Sequence, residues 1–234
     1  MLYSVIENEA GPRTAARYGV LANREDGSMR ATVLFASPRG GESNTMALLR
    51  PVLETWRAAG HEAEVFSLYD LRIEGCLACR CCQADWQQPA CIIDDDMQPI
   101  FRSILESQLV LLATPIYSWY CTAPLKAALD RLVYAMDKYY GSQGKGPALL
   151  EGKAMAAVVT CGYRPERGAD LFLEGMRRWC RHTEMRWLGA LTERHMGYDT
   201  VFMDGEKADH AANFARQVLT PLSDAAGAAA PAGR

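Results

Sequence analysis

The sequence predicts an α/β domain built on a five-stranded parallel sheet with helices on both faces, and three observations carry that prediction. Short apolar or β-branched runs alternate with segments of helical period along most of the chain. The first complete unit reads strand, helix, strand, a connection that makes parallel neighbours through a right-handed crossover. One run, Leu109-Val110-Leu111-Leu112-Ala113, is apolar without alternation, as expected of a central strand covered on both sides.

The elements follow in order. Residues 1–29 mix charged residues, Gly and Pro with no sustained period and read as an extension or arm. Thr32-Val33-Leu34-Phe35-Ala36 is the first strand, broken by Ser37-Pro38-Arg39-Gly40-Gly41. A helix over residues 45–59 follows, with Leu48, Leu49, Val52, Leu53 and Trp56 on one face, Pro51 as a source of bending and Gly60 as its end. Residues 64–68 form the second strand. A cysteine-rich segment leads to a helix over 97–107, where Asp94-Asp95-Asp96 offsets the helix dipole. After the third strand at 109–113 comes Thr114-Pro115-Ile116-Tyr117-Ser118-Trp119-Tyr120, then a helix over 123–136 and a loop at 139–147 long enough for a lid or an interface. A fourth strand spans 153–160 and ends in Cys161-Gly162-Tyr163. Helices over 168–182 and 207–220 flank a fifth strand at 185–191, and an Ala/Gly/Pro tail closes the chain.

Composition bounds what such a chain does. With 234 residues and 49% hydrophobic content it can bury roughly 70% of its unfolded surface in one core, so a single domain over 30–223 is expected between the extension and a tail at 224–234. The 25 basic and 28 acidic residues leave a net charge of −3 and no basic stripe, which argues against nucleic acid as a partner. No apolar stretch approaches the length of a membrane span and no signal-peptide pattern opens the chain, so the expected location is cytoplasmic and away from membranes. In that compartment the eight cysteines, five of them between Cys76 and Cys91, read as redox or metal chemistry before disulfides.

Three features carry chemistry. The loop after the first strand opens a helix, where free amides and the macrodipole favour an anion and Ser37, Ser43, Asn44 and Thr45 add neutral donors. It lacks the ending of a P-loop and the glycine spacing of a dinucleotide fingerprint, so a terminal phosphomonoester such as that of FMN, with Arg39 as one cation, suits it. A plain turn capped by Ser43 or Asn44 explains the same residues without a ligand. In open parallel sheets ligands sit beyond the carboxyl ends of the strands at the switch in strand order. In the order 2-1-3-4-5 this loop meets the loops after strands three and four. There Tyr117, Trp119 and Tyr120 offer a platform for a flat ring, and backbone near Ile116 and Gly162 offers edge contacts; the same aromatics also suit a covered sheet end or a subunit contact.

The third feature is Cys76-x2-Cys79-x2-Cys82 with Cys91 after a gap of eight residues, and with Cys81 spare. Spacing of this kind lets one loop wrap a [4Fe–4S] cluster, each thiolate reaching a different iron. Tetrahedral zinc and a cofactor-free loop are the alternatives. Cys121, Cys161 and Cys180 read as small buried hydrophobes. The four histidines have no metal-helix spacing, and no nucleophile elbow is present.

Taken together, Ser37-Pro38-Arg39 with Ser43-Asn44-Thr45, the Cys76 to Cys82 run leading to Cys91-Ile92-Ile93-Asp94-Asp95-Asp96, and Thr114-Pro115-Ile116-Tyr117 with Pro124-Leu125-Lys126 and Leu129-Asp130-Arg131 resemble the NADPH-dependent FMN reductases, including the iron-sulfur flavoproteins, of the flavodoxin-like superfamily. The resemblance covers roughly residues 30–195 and implies a flavodoxin-like three-layer sandwich. It implies that Ser37, Arg39, Ser43, Asn44 and Thr45 bind the FMN phosphate. Pro115, Ile116, Tyr117 and Trp119 would meet the isoalloxazine, and Thr160, Cys161 and Gly162 would complete its site. It also implies Cys76, Cys79, Cys82 and Cys91 as ligands of a [4Fe–4S] cluster, although the gap before Cys91 is longer than is usual in that group. The implied activity is NAD(P)H-dependent reduction of a quinone, a flavin or another small electrophile, in a homodimer or homotetramer, with no side chain acting as acid or base. The alternative is an electron carrier that passes single electrons to a redox protein through FMN and the cluster.

Overall fold

Arg30–Phe35 forms strand β1 because five of its six residues are buried, with Val33 and Phe35 on one face and Leu34 on the other. A computed structural model describes residues 28–197 and 200–228, with side chains described as far as Leu222. The remaining strands are β2 (Glu62–Ser67), β3 (Leu109–Pro115), β4 (Ala154–Cys161) and β5 (Arg186–Arg194), all parallel in the order β2-β1-β3-β4-β5. The parallel pairing is that expected from the alternating strands and helices, and the order is that of the flavodoxin-like sandwich the resemblance implies. The expectation of an arm over residues 1–29 falls almost wholly outside the described residues.

Two helical layers cover the sheet. Helix α1 (Asn44–Ala58) and helix α6 (Gly205–Ala228) pack Leu48, Leu49, Val52, Phe214 and Val218 against Val33, Phe35, Leu111 and Val158. The Trp56 indole N–H donates to the Ala215 carbonyl at 3.1 Å and ties the two helices. On the other face, α2 (Met97–Glu106), α3 (Ala123–Met136) and α5 (Asp170–His182) bring Phe101, Ile104, Leu129, Phe172 and Met176 against Leu34, Val110, Leu112 and Val159. The central run of β3 is therefore buried on both sides, which is why it carries no polar alternation.

Boundaries move where a local cause exists. The helix expected over 168–182 is two, α4 (Pro165–Gly168) and α5, meeting at Ala169; Gly168 is buried there, and a Cβ on it would come within 3.1 Å of the Tyr163 Cβ. The last helix runs past residue 220 to Ala228, because the Ala-rich stretch expected as tail has high helix propensity and continues the turn. Strand β5 extends to Arg194 as a half-exposed edge, and its register against β4 shifts beside Gly189, whose φ of +109° suits a bulge.

A polar seam lies between α2 and the sheet. The buried Thr32 hydroxyl is 2.8 Å from Ser103 Oγ and 2.7 Å from Ser107 Oγ, and Ser103 donates to Glu64 Oε2 at 2.7 Å. Arg30 completes it with a 3.0 Å ion pair to the same Glu64 oxygen. Every buried hydroxyl in the seam therefore has a partner, as low-dielectric surroundings demand. Among the described residues no helix is long and apolar enough to cross a membrane.

Candidate functional site

The three loops singled out in the sequence meet at the carboxyl end of the sheet. After β1, Gly40–Glu42 forms one 3-10 turn and delivers the chain to the N-terminus of α1. Ser43 is the N-cap: its hydroxyl accepts from the Met46 amide at 3.1 Å and donates to the Gly40 carbonyl at 2.8 Å. That donation uses the one proton the side chain has, so Ser43 shapes the loop. Asn44 and Thr45 follow in the first turn, where amides have no intrahelical acceptor. In the loop before them Ser37 is buried and Arg39 is exposed.

Side-chain and main-chain bonds lock this loop to the other two. The buried Thr45 hydroxyl lies 2.7 Å from the Thr160 hydroxyl at the end of β4. Thr122 donates to the Ala36 carbonyl at 2.9 Å, and the Ile116 amide to the Thr160 carbonyl at 2.8 Å. Pro115 ends β3 beside Thr160 in the sheet register.

The aromatic loop is a two-residue turn. Tyr117 and Tyr120 exchange main-chain hydrogen bonds of 2.9 and 3.0 Å, while Ser118 and Trp119 between them both have positive φ, at 50° and 64°. The turn sends Tyr117 and Trp119 outward, each about half exposed, and Tyr120 inward against Phe172, edge to face at 5.5 Å. Trp119 stacks on Tyr163 with ring centroids 5.9 Å apart and planes 11° from parallel, and its indole donates to the Arg167 carbonyl at 3.1 Å. Tyr163, the last residue of the Cys161-Gly162-Tyr163 loop expected at this pocket, thus gains a role as stacking partner that its sequence position alone does not assign.

After β4 the chain exposes Gly162 and hides Cys161. Burial pushes the Cys161 thiol up to about 11, and it donates to the Tyr163 carbonyl at 3.2 Å, which leaves it no nucleophilic character at neutral pH. Cys121 and Cys180 are likewise raised by burial to about 12. A Cβ on Gly162 would stand 3.4 Å from the His195 imidazole, so glycine keeps this edge open.

The cysteine segment builds a separate cavity. Cys76, Cys79, Cys82 and Cys91 all line it, with Arg131 and Tyr134 as its floor from α3. Left-handed backbone at Ala78, Arg80 and Ala90 turns the chain around this space. Cys81 does not line the cavity and is exposed, which separates it from its neighbour Cys82, whose thiol is buried and raised by that burial. All eight thiols are free. Among the described residues no three His, Cys, Asp or Glu side chains converge tightly enough to hold a single metal ion. A four-iron cluster does not ask for that convergence, since each thiolate binds a different iron. The donor set of four thiols around one cavity fits such a cluster.

Beneath the cavity, Arg131 forks onto Asp95 at 2.8 and 3.0 Å and donates to the Glu74 carbonyl at 3.0 Å. Burial works against the Asp95 carboxylate, but Arg131 and the amides of Glu74 and Met97 together hold it below the usual carboxylate range. The N-cap Asp96 makes no side-chain cap bond, but Asp95 just before it accepts from the first helical amide, that of Met97, and also supplies the counter-charge of a buried cation that helix-dipole reasoning alone does not find.

Comparison with known proteins places this geometry. Residues 29–219 match the model of a family described by its flavodoxin-like fold. The chain is 31% identical over 125 residues to an iron-sulfur flavoprotein of Methanosarcina thermophila, covering 53% of this chain and 63% of that one. It is 27% identical over 143 residues to FMN-dependent NADH:quinone oxidoreductase 8 of Burkholderia lata, covering 57% and 67%. The chain thus spans a little under two thirds of the archaeal relative's length. Among solved structures, the NAD(P)H:quinone oxidoreductase from Methanothermobacter marburgensis superposes with a TM-score of 0.56 at 20% identity, over 82% of this chain and 95% of that one. RosB with a bound flavin-derived intermediate superposes at 0.64 with 16% identity, over 86% and 81%. At such identities the superpositions speak for the fold.

Proposed function

We propose, from the premise that this chain belongs to the flavodoxin-like family, that it is an FMN-dependent oxidoreductase that takes reducing equivalents from NADH or NADPH and delivers them to a quinone, a flavin or another small electrophile. The observation that carries the reading is the convergence of the α1 N-terminus, the Tyr117–Tyr120 turn and the Gly162 edge at one end of the sheet, locked by the Thr45–Thr160 and Thr122–Ala36 bonds. When bound, FMN supplies the capacity to accept a hydride and pass electrons on. The chain's own part is binding and access. The amides of Asn44 and Thr45, with Ser37 and Arg39, hold the phosphate, and Ser43 keeps the loop in shape. Pro115, Ile116, Tyr117 and Trp119 flank the ring from one side, and main chain at Thr160, Cys161 and Gly162 meets its edge. One face stays free for reductant and acceptor in turn. With Cys161 buried as a thiol, no acid or base is assigned.

Equilibrium titration with FMN tests the reading, together with NADH and NADPH oxidation assays using a quinone acceptor. Asn44→Asp puts a carboxylate beside the phosphate and weakens FMN more than tenfold, about 1.4 kcal/mol. Unchanged affinity in that variant overturns the placement of the cofactor.

The cysteine cavity supports a second reading, a protein that also holds a [4Fe–4S] cluster on Cys76, Cys79, Cys82 and Cys91 and passes single electrons to a redox partner. A cluster there supplies one-electron transfer. Anaerobic purification with iron analysis separates the two: flavin without iron leaves the reductase alone, and roughly four irons per chain support the carrier.

A further inference from the structure

We infer that Lys138 is the positioning residue that closes the long Cys82 to Cys91 segment around the cysteine cavity, bringing the fourth thiol into register with the other three. The inference rests on the cluster reading and explains how this chain meets it despite its eight-residue gap.

Lys138 lies just beyond the end of α3, and its side chain is fully buried. Its ammonium donates to the carbonyls of Ala135 at 2.6 Å, Cys82 at 2.8 Å and Gln88 at 2.6 Å, with Pro89 further off at 3.4 Å. Three short bonds use all three of its protons. The first anchors the nitrogen to the helix. The other two grip the segment at both ends of its excursion: Cys82 is itself one of the four thiols, and Gln88 and Pro89 stand just before Ala90 and Cys91. The carbonyls of Cys82 and Gln88 thus converge on one nitrogen, and the residues between them form a detour that leaves and returns to the same point.

The detour has its own supports. Gln83 is buried and donates to the carbonyls of Tyr134 and Asp137 at 2.6 and 2.9 Å, while its side-chain oxygen accepts from the Tyr140 amide at 2.9 Å. Asp85 accepts from the Gln87 amide at 2.8 Å and from the Gln88 side chain at 3.1 Å. From the pinned Pro89, only left-handed Ala90 intervenes before Cys91. Seen from the cavity, the gap is therefore a short one, stapled across its neck by a cation that no cysteine pattern reveals.

Reconstitution with iron and sulfide under anaerobic conditions tests this, with iron content, the electron paramagnetic resonance spectrum of the reduced protein and the midpoint potential as readouts. Wild-type protein should take up roughly four irons per chain. Lys138→Met keeps the buried stem and removes the staple; iron uptake should fall at least threefold while FMN affinity stays unchanged. Deleting residues 84–87 in the Lys138→Met background halves the gap, makes the staple unnecessary and should restore iron and the wild-type resonance spectrum. The potential of the restored protein should still lie below that of wild type, because a positive charge beside the loop is gone. If Lys138→Met alone does not fold, the deletion variant decides: folded and iron-loaded supports the staple, unfolded or iron-free overturns it. Full loading of Lys138→Met with an unaltered resonance spectrum overturns the inference, whatever its potential, and leaves the cluster reading standing. Wild-type protein that takes up no iron overturns the cluster reading itself, and the inference with it.

Discussion

Asp137, the residue before that lysine, makes stability depend on pH with an unusual sign. It is fully buried, and neither of its carboxylate oxygens has a hydrogen-bond partner. Burial, with the charge of Glu184 adding to it, pushes its carboxyl from 3.8 up to about 7, against the pull of Lys138 and Lys145. Below about pH 4 the folded and unfolded chains both keep the proton, and the group contributes nothing. As pH rises further the unfolded carboxyl ionises first, so folding loses free energy until about pH 7, after which the loss is constant. A difference of about three units at about 1.4 kcal/mol each gives a full loss of about 4 kcal/mol. Roughly 2.5 kcal/mol of that accrues between pH 5 and pH 8. Asp137→Asn keeps the shape without the titration. Any cost of an unpaired amide displaces its whole curve and leaves the slope alone. Urea unfolding of both proteins at one-unit intervals from pH 5 to pH 8 should show the variant gaining on wild type by that amount. A difference that stays flat across the range refutes the assignment and means that Asp137 reaches water or a partner.

Two further perturbations probe the support of the cysteine cavity. Arg131→Met leaves the Asp95 carboxylate buried without its counter-charge and should cost about 3 to 5 kcal/mol in denaturant unfolding; a loss below about 1 kcal/mol would mean that Asp95 escapes to solvent. Gly146→Ala places a methyl 2.8 Å from the Lys138 Cβ and 2.9 Å from both the Lys138 carbonyl oxygen and Trp86 Cε2, so overpacking of about 1 to 3 kcal/mol should lower the thermal midpoint, and an unchanged midpoint would show that the 139–147 loop gives way freely.

What could be read in advance divides along the range of the interaction. Strands β1, β3 and β4 were legible because both their faces are buried, so sequence alone shows an unbroken apolar run. Edge strand β5 reads as ending at 191 because Thr192, Glu193 and Arg194 break the apolar run with polar side chains, although the structure keeps them partly buried in the strand. The three loops at the carboxyl end followed from strand order and needed no side-chain detail. Ser43 was readable as a cap or as a phosphate donor; the structure gives its hydroxyl to the cap. The aromatic turn was visible as composition, but the left-handed Ser118-Trp119 pair that splays its rings was not, since neither residue is glycine. Arg131 with Asp95 and Lys138 with the carbonyls of Cys82 and Gln88 lay beyond reach for a simpler reason. Their partners stand 36, 56 and 50 residues away, and a backbone carbonyl carries no signature in the residue that owns it.

The hydroxyl seam under α2 also limits how the molecule can move. Thr32 meets Ser103 and Ser107 together, one turn apart on the same helix face, so sliding α2 along its axis by a turn of about 5.4 Å would strand at least one of them in an apolar layer. Helix α2 is thereby a fixed post, and the chain just ahead of it is moored to the same post, since the Gln98 side chain donates to the carbonyls of Cys91 and Ile93, both at 3.1 Å, and Arg131 holds Asp95.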